Sequence, residues 1–272
     1  MIATAKPVDA VIYVADAGAA AGLTDRIAGG RRVRADGFDA THGTLAGQAV
    51  VVAAPAPGVS ASPEDACRRI ILALAAAHQP ERIIGAGWSL AVSDTPAGGP
   101  LFATEVCSRD GMTLRLCPAD AATEGMRAGR LICGGSAGSD SAGSDSARPA
   151  AAKPAEDSAA RGQRAIGVAA GAWAWALAQA CAECGRPAAV VTLMLSEWPG
   201  TPEVQRIAQQ RGRPLAWRAG ALLWAVWRRP SIMADGANAA TQHWRRQAAL
   251  ADAVQGVLRT PPATLPPQPG GR

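Results

Sequence analysis

The stretch that most constrains the fold is Arg164 to Trp198, RAIGVAAGAWAWALAQACAECGRPAAVVTLMLSEW. From Ala165 to Ala182 its only strongly polar side chain is Gln179, so a helix built from it has to be covered on nearly every side. Gly185 and Pro187 end that helix, because Gly suits a left-handed cap and Pro cannot continue a helical turn. Ala188 to Leu195 follows, apolar apart from Thr192, and reads as a buried parallel strand whose far end delivers Ser196 and Glu197. A buried helix, a tight turn and a buried strand ending in polar residues make half of an α/β ligand site.

The cover is protein or lipid. A spanning helix takes about 20 apolar residues rich in Leu, Ile, Phe and Val, whereas this one is dominated by Ala and interrupted by Gly167 and Gly171. The opening MIATAKPVDAVIYVADAG lacks the basic start and cleavage pattern of a secretory signal. The expectation is a cytoplasmic protein with no membrane partner. A chain of 272 residues, 49% of them hydrophobic, can bury one substantial core, which suggests one α/β domain with appendages. The formal charge of +5 comes from Arg scattered through Ala- and Gly-rich sequence. Without a block of like charge, nucleic acid is not an expected partner. Two basic-aromatic clusters, WRRP at 227–230 and HWRR at 243–246, read as packed Trp beside solvated Arg. The six cysteines show neither zinc nor disulfide spacing, and the CxxC of Cys181 and Cys184 reads as small core residues. His42, His78 and His243 lie far apart, so no metal is expected.

Taken in order, Val8 to Val14 reads as a first strand and Ala15 to Gly22 as its loop, with helical character near Leu23 to Ile27. Short strands over Arg31–Phe38 and Thr41–Leu45 lead into the buried strand Ala49–Ala54. The segment PAPGVSASPEDACRRIILALAAAHQP is a well-punctuated helix: Ser62 caps it, Pro63 takes the first position, Glu64 and Asp65 suit the dipole, and Gln79 and Pro80 end it. Ile83 and Ile84 then lead a short strand into GAGWSLA, completing a βαβ unit. Leu101–Cys107, Met112–Cys117 and Arg130–Cys133 read as further strands. At Gly134 the composition changes: GGSAGSDSAGSDSARPAAAKPAEDSAA carries a tandem repeat and almost no large apolar residue, so it cannot bury enough surface to order itself. Thr201 and Pro202 begin another helix, Leu215 to Trp227 is apolar enough for the core or a subunit contact, His243 to Leu258 is amphipathic, and PPATLPPQPGGR is a Pro-rich tail. The expected division is 1–133 and 161–259 as two parts of one domain, 134–160 as a flexible insertion and 260–272 as the tail.

Several strings in this order resemble the superfamily of nucleoside phosphorylases and methylthioadenosine/adenosylhomocysteine nucleosidases, and its bacterial branch linked to hopanoid nucleosides. DGFDATHGTLAGQAVVVAAPAPG is similar to the family's early strand pair, HQPERIIGAGWSLA to its strand ending in a small-residue loop, and RAIGVAAGAWAWALAQACAECGRPAAVVTLMLSE to its late helix and strand. WRRPS and the helix after it resemble the C-terminus of that branch. The resemblance implies a three-layer α/β/α phosphorylase-like fold with a central mixed sheet. It also implies a homo-oligomer, a small-molecule nucleoside as partner, and no cofactor beyond phosphate as a co-substrate.

Such enzymes cleave the N-glycosidic bond of a nucleoside, water or phosphate attacking the anomeric carbon while the departing base is protonated. The family places an acidic residue after its first strand, a Met-Glu pair at the start of its late helix and an Asp in a Ser-Asp pair after its late strand. Here Ala17 and Ala19 occupy the first region with Asp16 beside them, and Ala170 and Gly171 stand on the Met-Glu positions. The Ser-Asp pair becomes Ser196 and Glu197. Gly87, Trp88 and Ser89 form the small-residue loop, where Trp88 would stack on a base or pack in the core. On this resemblance Glu197 is the general acid and Asp16 the substitute for the water-activating group, with Gly87, Trp88, Ser89, Ala170, Gly171 and Ser196 around the substrate. Because Ala and Gly cannot hold a ribose or polarise water through their side chains, a non-catalytic nucleoside-binding descendant is the alternative. A third reading takes GWSLA as the nucleophile elbow of a serine hydrolase, with Ser89, Asp235 and His243 in the required order, although Pro96 and Pro100 follow where a helix is needed.

Overall fold

The structure, a computed structural model, describes residues 7–35, 37–56, 62–91, 97–108, 110–116, 125–133, 165–169, 173–196, 220, 224 and 231–261. In chain order its elements are β1 (Ala10–Val14), α1 (Ala17–Thr24), β2 (Ala28–Ala35), β3 (Phe38–Leu45), β4 (Gln48–Pro55), α2 (Pro63–His78), β5 (Arg82–Ala91), β6 (Pro100–Cys107) and β7 (Thr113–Arg115). There follow β8 (Arg127–Cys133), β9 (Ala165–Ala169), α3 (Trp173–Glu183), β10 (Ala188–Leu195) and α4 (Ser231–Arg259).

The strands form one mixed sheet between two helical layers, because the central strands are apolar on both faces. Alternation along the strands sorts the core. Val11 and Tyr13 of β1, Val51 and Ala53 of β4 and Val190 of β10 pack toward α2 and α3. Ala10, Ile12, Val14, Val50, Val52 and Val191 pack toward α1 and α4. β1 lies between β4 and β5, parallel to both, so β4, α2 and β5 form the expected crossover unit with β1 in the gap. Ser62 Oγ accepts the Asp65 backbone N–H at 3.0 Å with Pro63 first in α2, and Gln79 closes the helix at φ 46° in the left-handed region.

The sheet also closes on itself. The first half of β5, Arg82–Ala86, pairs with β1, while Ser89–Ala91 pairs with β9. β10 runs along the other edge of β5, and the pairings of β10 with β6, β6 with β8 and β8 with β9 return to β5. β5 is thus shared by an open sheet and a five-stranded ring.

Three expectations are corrected. The apolar run from Ala165 is not one helix: Ala165–Ala169 is β9, and the helix begins at Trp173. An all-apolar run shows no period to separate strand from helix, and the parallel partner β8 and antiparallel partner β5 decide it here. Ala17–Thr24 is helical rather than loop, its small side chains letting α1 lie close to α4: a Cβ on Gly22 would meet Gln247 Cβ at 2.8 Å. GAGWSLA does not end in a loop, because β5 continues through Ala91. The expected helix from Thr201 and the 134–160 insertion fall outside the described residues, as does Leu215–Trp227 apart from Gly220 and Trp224, both helical. Trp224 is 58% exposed. Among the described residues no helix is long and apolar enough to cross a membrane.

Candidate functional site

Three parallel strands set the geometry. Val14 of β1 is level with Ala86 of β5, and Ala86 with Val191 of β10. Asp16, two residues beyond Val14, therefore emerges at the same edge as Trp88 and its register partner Leu193, with Ser196 just beyond β10. This is the carboxyl edge of the sheet, where open α/β sheets bind ligands. Glu197, Ala170 and Gly171 lie outside the described residues.

Asp16 is a helix cap. Its Oδ1 accepts the Ala19 backbone N–H at 3.2 Å and its carbonyl accepts that of Ala20 at 3.1 Å, which satisfies donors that the first turn of α1 leaves open. Gly87 lies under the Trp173 indole, where a Cβ would sit 2.7 Å from Cζ2. Its smallness makes room for α3. Ser89 is fully buried on the same face of β5, its Oγ 2.9 Å from Thr192 Oγ1 of β10. A nucleophile elbow exposes its serine on a strand-to-helix turn; Ser89 stands inside a strand, so the serine hydrolase reading is overturned. Trp88 points to the opposite face, half-buried against His243 of α4 with ring centroids 6.1 Å apart.

The histidines, distant in sequence, find neighbours. His42 of β3 and His78 of α2 stand 5.1 Å apart between ring centroids. Burial first, then His78 and Arg31, lower the pKa of His42. In the CxxC, Cys181 is buried and Cys184 half-buried, and burial raises the Cys184 thiol. Among the described residues no group of three His, Cys, Asp or Glu is placed to hold a metal.

Beside Ser196 a cleft of about 430 Å³ opens between the sheet edge and α4. Its walls are the turn Ala97–Gly98, the end of β10 from Leu193 to Ser196, and Arg245, Arg246 and Ala249 of α4. Reciprocal backbone bonds, Gly98 N to Met194 O at 2.8 Å and Met194 N to Gly99 O at 3.1 Å, fix the turn against β10. Arg246 departs from the solvated role expected of it. Its Nη1 is buried with no hydrogen-bond partner, while Nη2 reaches Gln242 Oε1 only at 3.4 Å. Sequence reading missed this cleft because Arg on an amphipathic helix normally faces water.

No family model and no curated protein matches this sequence. Solved structures do. A methylthioadenosine/adenosylhomocysteine nucleosidase from Neisseria meningitidis in complex with methylthio-immucillin-A superposes with a TM-score of 0.60 at 14% identity, covering 93% of this chain and 99% of that one. The corresponding S. pneumoniae enzyme with a transition-state inhibitor gives 0.58 at 13% identity, with 94% and 99% covered. The chain shares their fold. The Arabidopsis thaliana methylthioadenosine nucleosidase in apo form agrees, with a TM-score of 0.59, 15% identity and coverage of 93% and 95%. The expected phosphorylase-like α/β/α architecture is therefore present, over nearly the full length of both partners. Identities this low establish the fold alone.

Proposed function

We propose that the chain binds a purine-type nucleoside at the carboxyl ends of β1, β5 and β10 and acts on its N-glycosidic bond. In this reading Glu197 protonates the departing base and Asp16, held by its cap to Ala19, orients the attacking water or phosphate. The observation that carries the proposal is the full-length likeness to nucleosidases whose structures hold nucleoside analogues. Asp16, Trp88 and Ser196 emerging at one sheet edge support it. The WRRPS string and the helix after it resemble the C-terminus of the hopanoid-linked branch.

A second reading, a nucleoside-binding protein without turnover, is favoured by two observations. Asp16 Oδ1 is engaged by α1, and Ala170 and Gly171 bring no carboxylate to the start of α3. One experiment separates the two. The purified protein is incubated with adenosine, inosine, methylthioadenosine and adenosylhomocysteine, with and without phosphate, and free base is followed chromatographically. A general acid contributes ~10²–10⁴-fold, so Glu197→Gln should lower base release by at least 100-fold while nucleoside affinity holds. Unchanged release in Glu197→Gln removes the acid assignment. Binding with no release from any nucleoside selects the non-catalytic reading.

A further inference from the structure

We infer that the cleft between β10 and α4 is an anion site that receives the phosphate of a phosphorylated nucleoside, with Arg246 as its principal ligand. This rests on the nucleoside reading above and narrows it to an anionic substrate class.

The argument begins with a desolvated donor. A buried guanidinium N–H without an acceptor loses its hydration and gains nothing in exchange, so such groups in folded proteins usually mark a missing partner. Arg246 Nη1 is in that state, and its sister nitrogen makes only the 3.4 Å contact with Gln242. None of the described residues lining the cleft is acidic, and Arg245 adds a second guanidinium from the adjacent position on α4. Of the described carboxylates that flank α1 and α4, Asp252 pairs with Arg26 and Asp16 caps α1. Two planar five-donor forks lining one cleft match phosphate, which accepts paired N–H bonds from one guanidinium.

Position and size identify the rest of the ligand. The cleft lies at the carboxyl edge of the sheet and includes Ser196, and about 430 Å³ falls within the range of pockets that enclose small molecules. A nucleoside lying along the ends of β5 and β10 can extend a phosphate to Arg246 without leaving this edge. Free inorganic phosphate offers the same chemistry, and the experiment separates the two sources.

The full-length protein is titrated calorimetrically with adenosine, adenosine 5′-monophosphate and inorganic phosphate, as wild type, Arg246→Gln and Arg246→Lys, with a thermal melt of each variant. The expected result is at least tenfold tighter binding of the monophosphate than of adenosine. Arg246→Gln should abolish that preference without altering adenosine affinity, and Arg246→Lys, which keeps charge but loses the fork, should retain part of it. Equal affinity for adenosine and its monophosphate in the wild type overturns the anion site and leaves the nucleoside reading standing. A preference that survives in both variants assigns the anion elsewhere and likewise overturns it. Arg246-dependent binding of inorganic phosphate with no affinity for adenosine overturns the nucleotide assignment and the nucleoside reading beneath it, while retaining an anion pocket. Should Arg246→Gln fail to fold, Arg246→Lys carries the same comparison.

Discussion

At the scale of single residues, the small side chains near the site serve packing before chemistry. Gly85 and Gly87 face the Trp173 indole and Leu177. A Cβ on Gly85 would lie 2.7 Å from Leu177 Cδ1, and one on Gly87 the same distance from Trp173 Cζ2. Trp173 is 2% exposed, and a dense core gives little room to move. Gly87→Ala is therefore expected to destabilise the protein by about 1–3 kcal/mol, the usual cost of overpacking. In a Trp173→Phe background the same substitution should cost less, because the clashing ring atoms are gone. Urea denaturation of the four proteins measures the coupling, and an equal cost in both backgrounds would show that the indole is not what requires glycine. None of this was legible from GAGWSLA, where small residues suit a ligand loop as well as a close helix. The indole that decides between them arrives from a distant part of the chain. Arg246 was misread from its residue type: an arginine is expected in water, yet helical spacing sets it four residues before Leu250, on the stripe that α4 buries, and one guanidinium nitrogen ends up out of solvent.

At the scale of elements, punctuation was the legible part. Ser62, Pro63 and the charges after them define α2 from local chemistry alone, and Leu250, Val254 and Val257 give α4 its buried face at helical spacing. What docks the end of α4 was invisible, because it comes from the far side of the sequence. The Arg82 guanidinium, buried at the start of β5, donates from Nη1 to the carbonyls of Val257 at 2.9 Å and Thr260 at 2.6 Å. Its Nη2 donates to the Leu258 carbonyl and to Gln48 Oε1. The last carbonyls of a helix have no partner within it, and a cation at that end also suits the dipole. Arg82→Met keeps much of the stem but strands these acceptors in a dry site, and should cost about 3 kcal/mol. Hydrogen exchange would localise the loss. Protection of the amides from Leu250 to Leu258 should fall more than that of β1, whereas a uniform fall would mean that Arg82 supports the sheet generally rather than clamping this helix.

At the scale of the whole molecule, the order of elements carried the fold. Buried strands, the capped crossover helix and the late helix-strand unit occur in an order that resembles the nucleosidases, and their structures superpose on nearly the whole chain. The ring was not legible, because closing it depends on β9, whose five residues carry no polar pattern. Its connection to β8 is long in sequence. Cys133 is level with Ala169 and Arg130 with Ala165, and residues 134–164 separate these two parallel strands in sequence. A parallel crossover needs only about a dozen residues, and the tandem repeat Ser136–Ala147 lacks large apolar side chains to anchor it. Deleting that repeat leaves 134–135 and 148–164, still enough chain for the return path. If the repeat serves only as connection, the loss of loop length lowers the entropy of closure by ~0.4 kcal/mol in the direction of greater stability. The deletion variant should therefore unfold at the same denaturant concentration as the wild type or slightly higher, with an unchanged slope. A loss of more than about 1 kcal/mol, or a smaller slope, would show that the repeat packs against the domain. The connection between β8 and β9 would then be part of what holds the ring shut.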